Sequence, residues 1–585
     1  MDADVIIVGA GAAGAVLAAR LAEGGKRVII LEAGGDTLDG TSVSGARDLD
    51  VDVRVPAFHP FASENPGMTD DVWVKHHDDD EANARDWRYD KEKGGTLYPR
   101  AKGLGGCAQH NALIIVRPND RDWNHIANVT GDGSWNAASM QRYWERIERC
   151  RHRSIFWRWL ARATGWNPLG HGWSGWMTTE VSLPLRAVFD RALRNQIFRA
   201  VQAAGDACHR RIGDWEGTRF DINARRAWNS DSAGIRSLPM NSRRHVRHGP
   251  RERLLDVQAS HRDKLDIRLR SRVTRIEIED GRARAVHYEQ HGKTSRVTAP
   301  EIVICGGAFW TPKLLMLSGV GPREALEAVG IECLHDLTEV GRNLQDRYEA
   351  SVVCRMSKPW KAMRGLKFDT TDKAFLKWRL FGKGMYSSNG ALFAMEMRSN
   401  PALAHPDLCC FALLTDFRGY YPGYSERIRK DNYLSLCVLK AWTENRAGAV
   451  SLRSSDPSAP PDIRFRNFIE GGERDLDAMV TGLRYCREVS EALGDQIAAE
   501  EEPGLGRTSD EALREYVRDN AWGHHACGTC AMGPGGVVDS AFRVHGIEGL
   551  RVVDASVFPR IPGYFIAAAV FMIAEKAADV MLEHA

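Results

Sequence analysis

Short, unbroken apolar runs open the chain. Val5-Ile6-Ile7-Val8 leads into a glycine-rich turn, then apolar residues at helical spacing (Leu17, Ala18, Leu21), then Val28-Ile29-Ile30-Leu31. Runs of this kind, apolar on both faces and bounded by turns, predict buried strands of a parallel sheet with a helix between them. Residues 264–307 read differently. Leu265-Asp266-Ile267-Arg268-Leu269, Val273 to Ile278 and Ala285 to Tyr288 alternate around Asp280-Gly281 and His291-Gly292 turns, which predicts an antiparallel meander. The longest nearly unbroken apolar run, Phe565 to Ala574, is far below the ~20 residues of a membrane-spanning helix.

The first turn carries chemistry. Gly9-Ala10-Gly11-Ala12-Ala13-Gly14 sits between strand and helix, and the second strand ends in Glu32. This is a complete dinucleotide-binding fingerprint. Gly9 permits the tight turn, Gly11 admits a pyrophosphate, and Gly14 lets helix and strand pack closely. The helix start offers free N–H groups to phosphates. Glu32 is placed to accept both ribose hydroxyls, and its charge disfavours a 2′-phosphate.

Composition narrows the rest. A chain of 585 residues exceeds one simple core and predicts two intertwined domains. Lys plus Arg number 79 against 77 Asp plus Glu, a balance that gives no electrostatic case for nucleic acid or an anionic membrane. The basic run Arg243-Arg244-His245, with Arg247 and His248, reads as a solvated surface loop. Twelve scattered cysteines predict reduced thiols in a cytoplasmic protein. The acidic start, running straight into a strand, lacks the pattern of a secretory signal. Trp157, Trp159, Trp166, Trp173 and Trp176 predict packing of an insertion rather than a substrate entrance.

Further motifs carry a family resemblance. Glu32-Ala33-Gly34-Gly35, Lys102-Gly103-Leu104-Gly105-Gly106 running on to His110-Asn111, and Gly306 to Pro322 each match a segment of the glucose–methanol–choline (GMC) flavoproteins. So do Val340-Gly341-Arg342-Asn343-Leu344-Gln345-Asp346, His525-Ala526-Cys527-Gly528-Thr529-Cys530-Ala531-Met532-Gly533 and Leu550 to Pro559. The chain resembles that family along most of its length, except residues 150–240 and 350–500. The resemblance implies an α/β protein: a Rossmann-like FAD-binding domain (1–150, 240–340 and 515–585) interleaved with an α+β substrate domain (151–239 and 341–514) built on an antiparallel sheet. It implies FAD contacts from Gly9, Gly11, Ala12, Ala13, Gly14, Glu32, Ala33, Lys102, Gly105, Gly106, His110, Asn111, Ala112, Val273, Asp554, Ala555, Phe565 and Ile566.

The loop ending in His110 resembles that of choline oxidase, where the corresponding histidine is bonded to the flavin. Covalent attachment and a mere hydrogen bond are the two readings of His110. His525 matches the family's catalytic histidine, the base that takes the alcohol O–H proton while hydride passes to flavin N5. His524 beside it is expected to point the other way if the segment is extended. The family's second catalytic residue, a histidine or asparagine, falls at Phe565, which handles no proton. Either Tyr564 serves from the next position, or His525 works alone, or the chemistry differs. Tyr564, Phe565 and Ile566 predict an apolar wall that favours a hydrophobic primary alcohol over a sugar. A Cys527/Cys530 metal site is set aside for want of further ligands, and no metal is expected.

The resulting expectation is oxidation of a small-molecule alcohol, with oxygen or a quinone-type carrier as acceptor and a homodimer as the default assembly. The alternatives are a light-driven fatty-acid photodecarboxylase of the same family and a flavin-binding protein without turnover.

Overall fold

The computed structural model describes residues 1–38, 43–181, 199–204, 215–218, 221–225 and 233–583. Parts of the expected 151–239 segment lie outside them.

Five strands form one parallel sheet in the order Leu265–Arg268, Val28–Leu31, Val5–Val8, Glu301–Ile304, Leu550–Val552. Every residue of the two central N-terminal strands is buried, as continuous apolar runs require of a sheet covered on both faces. Helix Ala12–Glu23 covers one face with Leu17, Ala18 and Leu21 fully enclosed. Helix Ala567–Glu583 packs into the same core through Phe571, Ile573 and Ala577. The long C-terminal apolar run is therefore core, and no helix among the described residues is long and apolar enough to cross a membrane.

The meander forms from Ser271–Glu279, Arg282–Gln290 and Lys293–Thr298. Both its turns place two successive residues at positive φ: Asp280 at 50° and Gly281 at 71°, then His291 at 50° and Gly292 at 74°. That geometry matches the twist of a tight hairpin. The run beginning at Leu265 was expected in this meander too. It instead joins the parallel sheet beside Val28–Leu31, because its apolar side chains pack under the helix Pro250–Ser260.

A second, seven-stranded sheet runs Ile497–Glu502, Tyr348–Met356, Tyr433–Lys440, Leu408–Leu413, Ala391–Met397, Ala233–Arg236, Trp215–Thr218. All its pairings are antiparallel except the last. Helix Gly472–Ala492 backs it through Leu476, Met479, Leu483 and Cys486. The fold is thus a Rossmann-like sheet interleaved in sequence with an antiparallel one. A smaller apolar cluster containing Phe411, Tyr564 and Phe565 adjoins the cavity described next.

Candidate functional site

One cavity of about 720 Å³ starts at the carboxyl ends of the parallel strands and reaches the antiparallel sheet. Ligands of open parallel sheets bind at that edge. Gly9, Gly11, Ala12, Ala13, Glu32, Ala33, Lys102 and Val273 line its first end. The glycines divide the work. A Cβ on Gly14 lands 1.9 Å from the Gly9 carbonyl oxygen, and one on Gly9, at φ 101°, lands 2.6 Å from that of Cys305. A Cβ on Gly11 meets nothing within 4 Å, so the space over Gly11 is open to a ligand. The first turn of helix Ala12–Glu23 carries no acidic residue and no side-chain cap, leaving its N–H groups free for phosphate. Gly14 and Gly105 do not line the cavity; they set helix packing and loop shape behind it.

Glu32 does more than the fingerprint suggests. Its Oε1 accepts from the backbone N–H of Gly34 (2.8 Å) and Gly103 (2.9 Å), and its Oε2 from that of Ala10 (2.8 Å). One carboxylate ties three loops together. A carboxylate offers about four acceptor sites, so about one remains for a ribose hydroxyl rather than a pair for two.

The loop over the middle of the cavity is held from behind. The Gly105 N–H donates to the Ala10 carbonyl at 2.8 Å, and a Cβ on Gly106 would meet Gly11 Cα at 2.8 Å. Arg247, expected in a solvated loop, is 4 % exposed. Its guanidinium donates to the carbonyls of Val53, Ala108 and Asn111 and to Asn111 Oδ1, at 2.7–2.9 Å. Five fixed donors satisfy carbonyls that a tight loop leaves unpaired. Asp554, also on the cavity wall, accepts from Ser556 N–H, Gly307 N–H and the Thr311 hydroxyl at 2.5–2.8 Å. Ala555, Asn111, Ala112 and Ile566 complete this stretch of lining.

His110 lines the same wall, and its buried Nε2 has no hydrogen-bond partner among the described residues. Burial, with Arg100 and Arg247 nearby, pulls its pKa down to about 3. The imidazole is therefore neutral, and its Nε2 is unpaired among the described residues. Open space over Gly11, free helix N–H groups, the Glu32 acceptor and this nitrogen together suit an FAD.

At the far end the rings of His524 and His525 lie side by side, centroids 4.1 Å apart. His524 does not point away, because the backbone bends at His524 and residues 523–526 do not form a strand. The segment is pinned by Asp346: its Oδ1 accepts from His525 N–H at 2.9 Å, and its Oδ2 from the Tyr98 hydroxyl at 2.5 Å. Tyr98 oxygen in turn accepts from Ala526 N–H at 2.8 Å. Gln345 and Cys527 exchange both backbone hydrogen bonds at 3.0 Å. Burial, then His524, Arg347 and Arg100, hold the His525 pKa well below its ordinary value. It is neutral, as a base must be. Cys527 and Cys530 are fully buried, with thiols pushed up by burial.

Phe565 lines the cavity edge-on to His525, centroids 5.8 Å apart. Tyr564 does not line it; its hydroxyl donates to the Pro406 carbonyl at 3.0 Å, which removes it as the missing partner. Sequence reasoning passed over the carboxyl that does reach the histidines. Glu349 Oε1 lies 3.4 Å from His524 Nδ1 and 3.9 Å from His525 Nδ1. Burial, then the Asp346 charge, push its pKa up to about 8, so it is a neutral acid near pH 7. The available signal was a lone carboxylate in the strand-forming stretch Tyr348-Glu349-Ala350-Ser351-Val352-Val353. Phe411, Leu413, Phe417 and Tyr420 make the remaining wall apolar. Of the five tryptophans near 157–176, none lines the cavity.

Comparison with known proteins agrees with this geometry. Family models described as GMC oxidoreductase match residues 3–349 and 444–574. An "oxygen-dependent choline dehydrogenase" of Rhizobium johnstonii is 31% identical over 597 residues, covering 100% of this chain and 96% of that protein. One from Chromohalobacter salexigens is 31% identical over 585 residues, covering 98% and 94%. Among solved structures, a pyridoxine 4-oxidase from Mesorbium loti superimposes with a TM-score of 0.76 at 24% identity, over 100% of this chain and 99% of the other. A formate oxidase of Aspergillus oryzae gives 0.81 at 20%, over 100% and 98%.

Proposed function

Because the chain belongs to the GMC oxidoreductase family, an FAD-dependent class, we propose that it oxidises a hydrophobic primary alcohol in the cavity bounded by His525, Phe565 and Phe411. The observation that carries this is a neutral, backbone-pinned His525 facing an apolar wall. FAD, when bound, supplies the hydride acceptor. His525 takes the hydroxyl proton at its imidazole. Asp346 fixes the backbone beneath it, and neutral Glu349 lies close enough to steer the histidine pair. Phe565, Phe411 and Phe417 exclude water and hold the substrate's carbon chain. His110 Nε2 is the point we assign to covalent flavin attachment. Residues 1–150, 240–340 and 515–585 form the FAD-binding unit on this reading, and 151–239 with 341–514 the substrate unit.

Oxygen is the acceptor we place ahead of a quinone-type carrier, since the sequence relatives are named oxygen-dependent. Eleven described cysteines, all free, fit the reducing interior of a cell. A homodimer is the assembly we assign by base rate alone.

A second reading has its own observation. Glu349 is a buried carboxyl beside Phe417 and Tyr420 in the cavity; a cationic amino alcohol bound there would itself favour loss of the Glu349 proton and rest against the aromatic faces. Anaerobic mixing in the dark with aliphatic, aryl and amino alcohols separates the two. Bleaching of the flavin by aryl or aliphatic alcohols supports the first, and bleaching by amino alcohols alone replaces it with the second. No bleaching across the panel defeats both and returns the light-driven and non-catalytic alternatives.

A further inference from the structure

Away from that cavity, at one edge of a four-stranded sheet, four side chains with metal-binding chemistry converge. Cys150 ends the strand Glu148–Cys150, and His152 follows it. His171 precedes the neighbouring strand Met177–Val181, and Asp221 comes from a separate segment. Cys150 Sγ is 3.7 Å from His152 Nε2, which is 3.6 Å from Asp221 Oδ2. His171 Nε2 is 2.9 Å from that same oxygen. One ligand atom from each of Cys150, His152 and His171 lies within 4.8 Å of the others. All four side chains are 4 % exposed or less.

Those spacings match one ion. Zinc–sulfur and zinc–nitrogen or –oxygen bonds of about 2.3 and 2.0–2.2 Å set neighbouring ligands of a tetrahedron about 3.3–3.6 Å apart. The His171–Asp221 contact must widen by a few tenths of an ångström, and the His152 ring, whose Nδ1 lies 3.6 Å from the Cys150 sulfur, must turn to aim Nε2 at the ion.

A second observation is independent of the four donors. His171 Nδ1 lies 2.9 Å from Glu148 Oε2, which also accepts from Gly172 N–H at 2.9 Å. Glu148 Oε1 accepts from the Thr179 hydroxyl at 2.8 Å, and the residue is fully buried. A fixed carboxylate on one imidazole nitrogen aims the other nitrogen outward, the arrangement that orients metal-bound histidines. Asp221 is likewise held, its Oδ1 by Asn223 N–H and its Oδ2 by the Arg153 guanidinium.

We propose that Cys150, His152, His171 and Asp221 bind a structural zinc ion. Four protein ligands fill a tetrahedron and leave no open position for catalysis. The His152 and His171 rings meet edge to face, centroids 5.3 Å apart. Zinc would enter as both imidazole nitrogens and the Cys150 thiol give up their protons, with no redox step. The ion closes a staple. Asn223 Nδ2 donates to the Ile115 carbonyl at 2.9 Å, and its Oδ1 accepts from Arg117 N–H at 3.0 Å. Ile114 beside them lines the cavity. The sequence reading, which weighed only Cys527 and Cys530, expected no metal; a bare Cys-x-His at 150–152 with its other ligands about 20 and 70 residues on is a weak signal.

Full-length, tag-free protein grown with zinc and dialysed tests this by elemental analysis, alongside chelator-treated protein refilled with cobalt(II). Stoichiometric zinc is expected, with a thiolate-to-cobalt band and visible bands beyond the flavin absorption. Both cobalt signals vanish in Cys150→Ser, while flavin content is kept. Absence of retained zinc together with absence of a cobalt–thiolate band overturns the proposal, as does equal zinc in wild type, Cys150→Ser and His171→Asn. Should the variants not fold, peptide-mapped alkylation of wild type decides: Cys150 must be protected by zinc and released by chelator, and equal labelling overturns the site.

Discussion

Glu349 Oε1 lies 3.9 Å from Nδ1 of His525, across the backbone exchange that pairs Glu349 with Trp522. A carboxyl in that place behaves as an acid whose proton the fold retains. Its pKa of about 8 compares with an ordinary 4.5. Between those values the native state holds a proton that the unfolded chain has lost, so this contribution is complete below pH 4.5 and disappears as pH rises through 8. At about 1.4 kcal/mol per unit, the effect is on the order of a few kcal/mol. Denaturant unfolding of wild type from pH 5 to 9 should show a loss that Glu349→Gln lacks. Parallel curves for the two proteins mean that Glu349 is ionised throughout.

Replacing His525 by Ala removes the proposed base and should lower kcat about 10²–10⁴-fold, with flavin content unchanged. Because its pKa is held well below 6.5, the reductive rate of wild type should stay level as pH falls through 6.5. A rate that halves near pH 6.5 places the working base elsewhere.

His110→Ala should convert a flavin that stays with acid-precipitated protein into one that is released to the supernatant. Release from wild type as well leaves His110 as a neighbour of the flavin only.

The glycines of the first turn separate packing from binding. Gly14→Ala forces a methyl group 1.9 Å from a backbone oxygen and should destabilise the fold by about 1–3 kcal/mol or more. Gly11→Ala enters open space, so the flavin-free protein should keep its melting temperature while FAD affinity falls at least about tenfold, a loss of ~1.4 kcal/mol. Equal FAD binding in Gly11→Ala shows that no phosphate approaches there.

Arg247→Ala leaves the carbonyls of Val53, Ala108 and Asn111 without their donor. Unmade bonds to a charged group cost about 1.5–3 kcal/mol each before relaxation. Loss of bound flavin, ahead of global unfolding, is expected in a thermal melt followed by flavin fluorescence. Coincident transitions would make Arg247 a general core residue.

Periodicity and turn chemistry act locally, and they settled much of this molecule. The two apolar runs at 5–8 and 28–31, the glycines between them and the hairpin turns at 280–281 and 291–292 each specify a backbone shape from neighbouring residues. They formed as expected. The motif around His525 likewise marked a histidine that lies on the cavity wall. Burial and partner choice depend on residues far away in sequence, and there the chain alone was silent or misleading. Arg247 looked solvated until a loop 136 residues earlier closed over it. Tyr564 and Phe565 differ by one position, and only packing turned the second toward His525 and the first toward Pro406. Glu349 became a neutral acid, and Cys150, His152, His171 and Asp221 became a cluster, because folding removed water from groups that charge and spacing could not show to be neighbours.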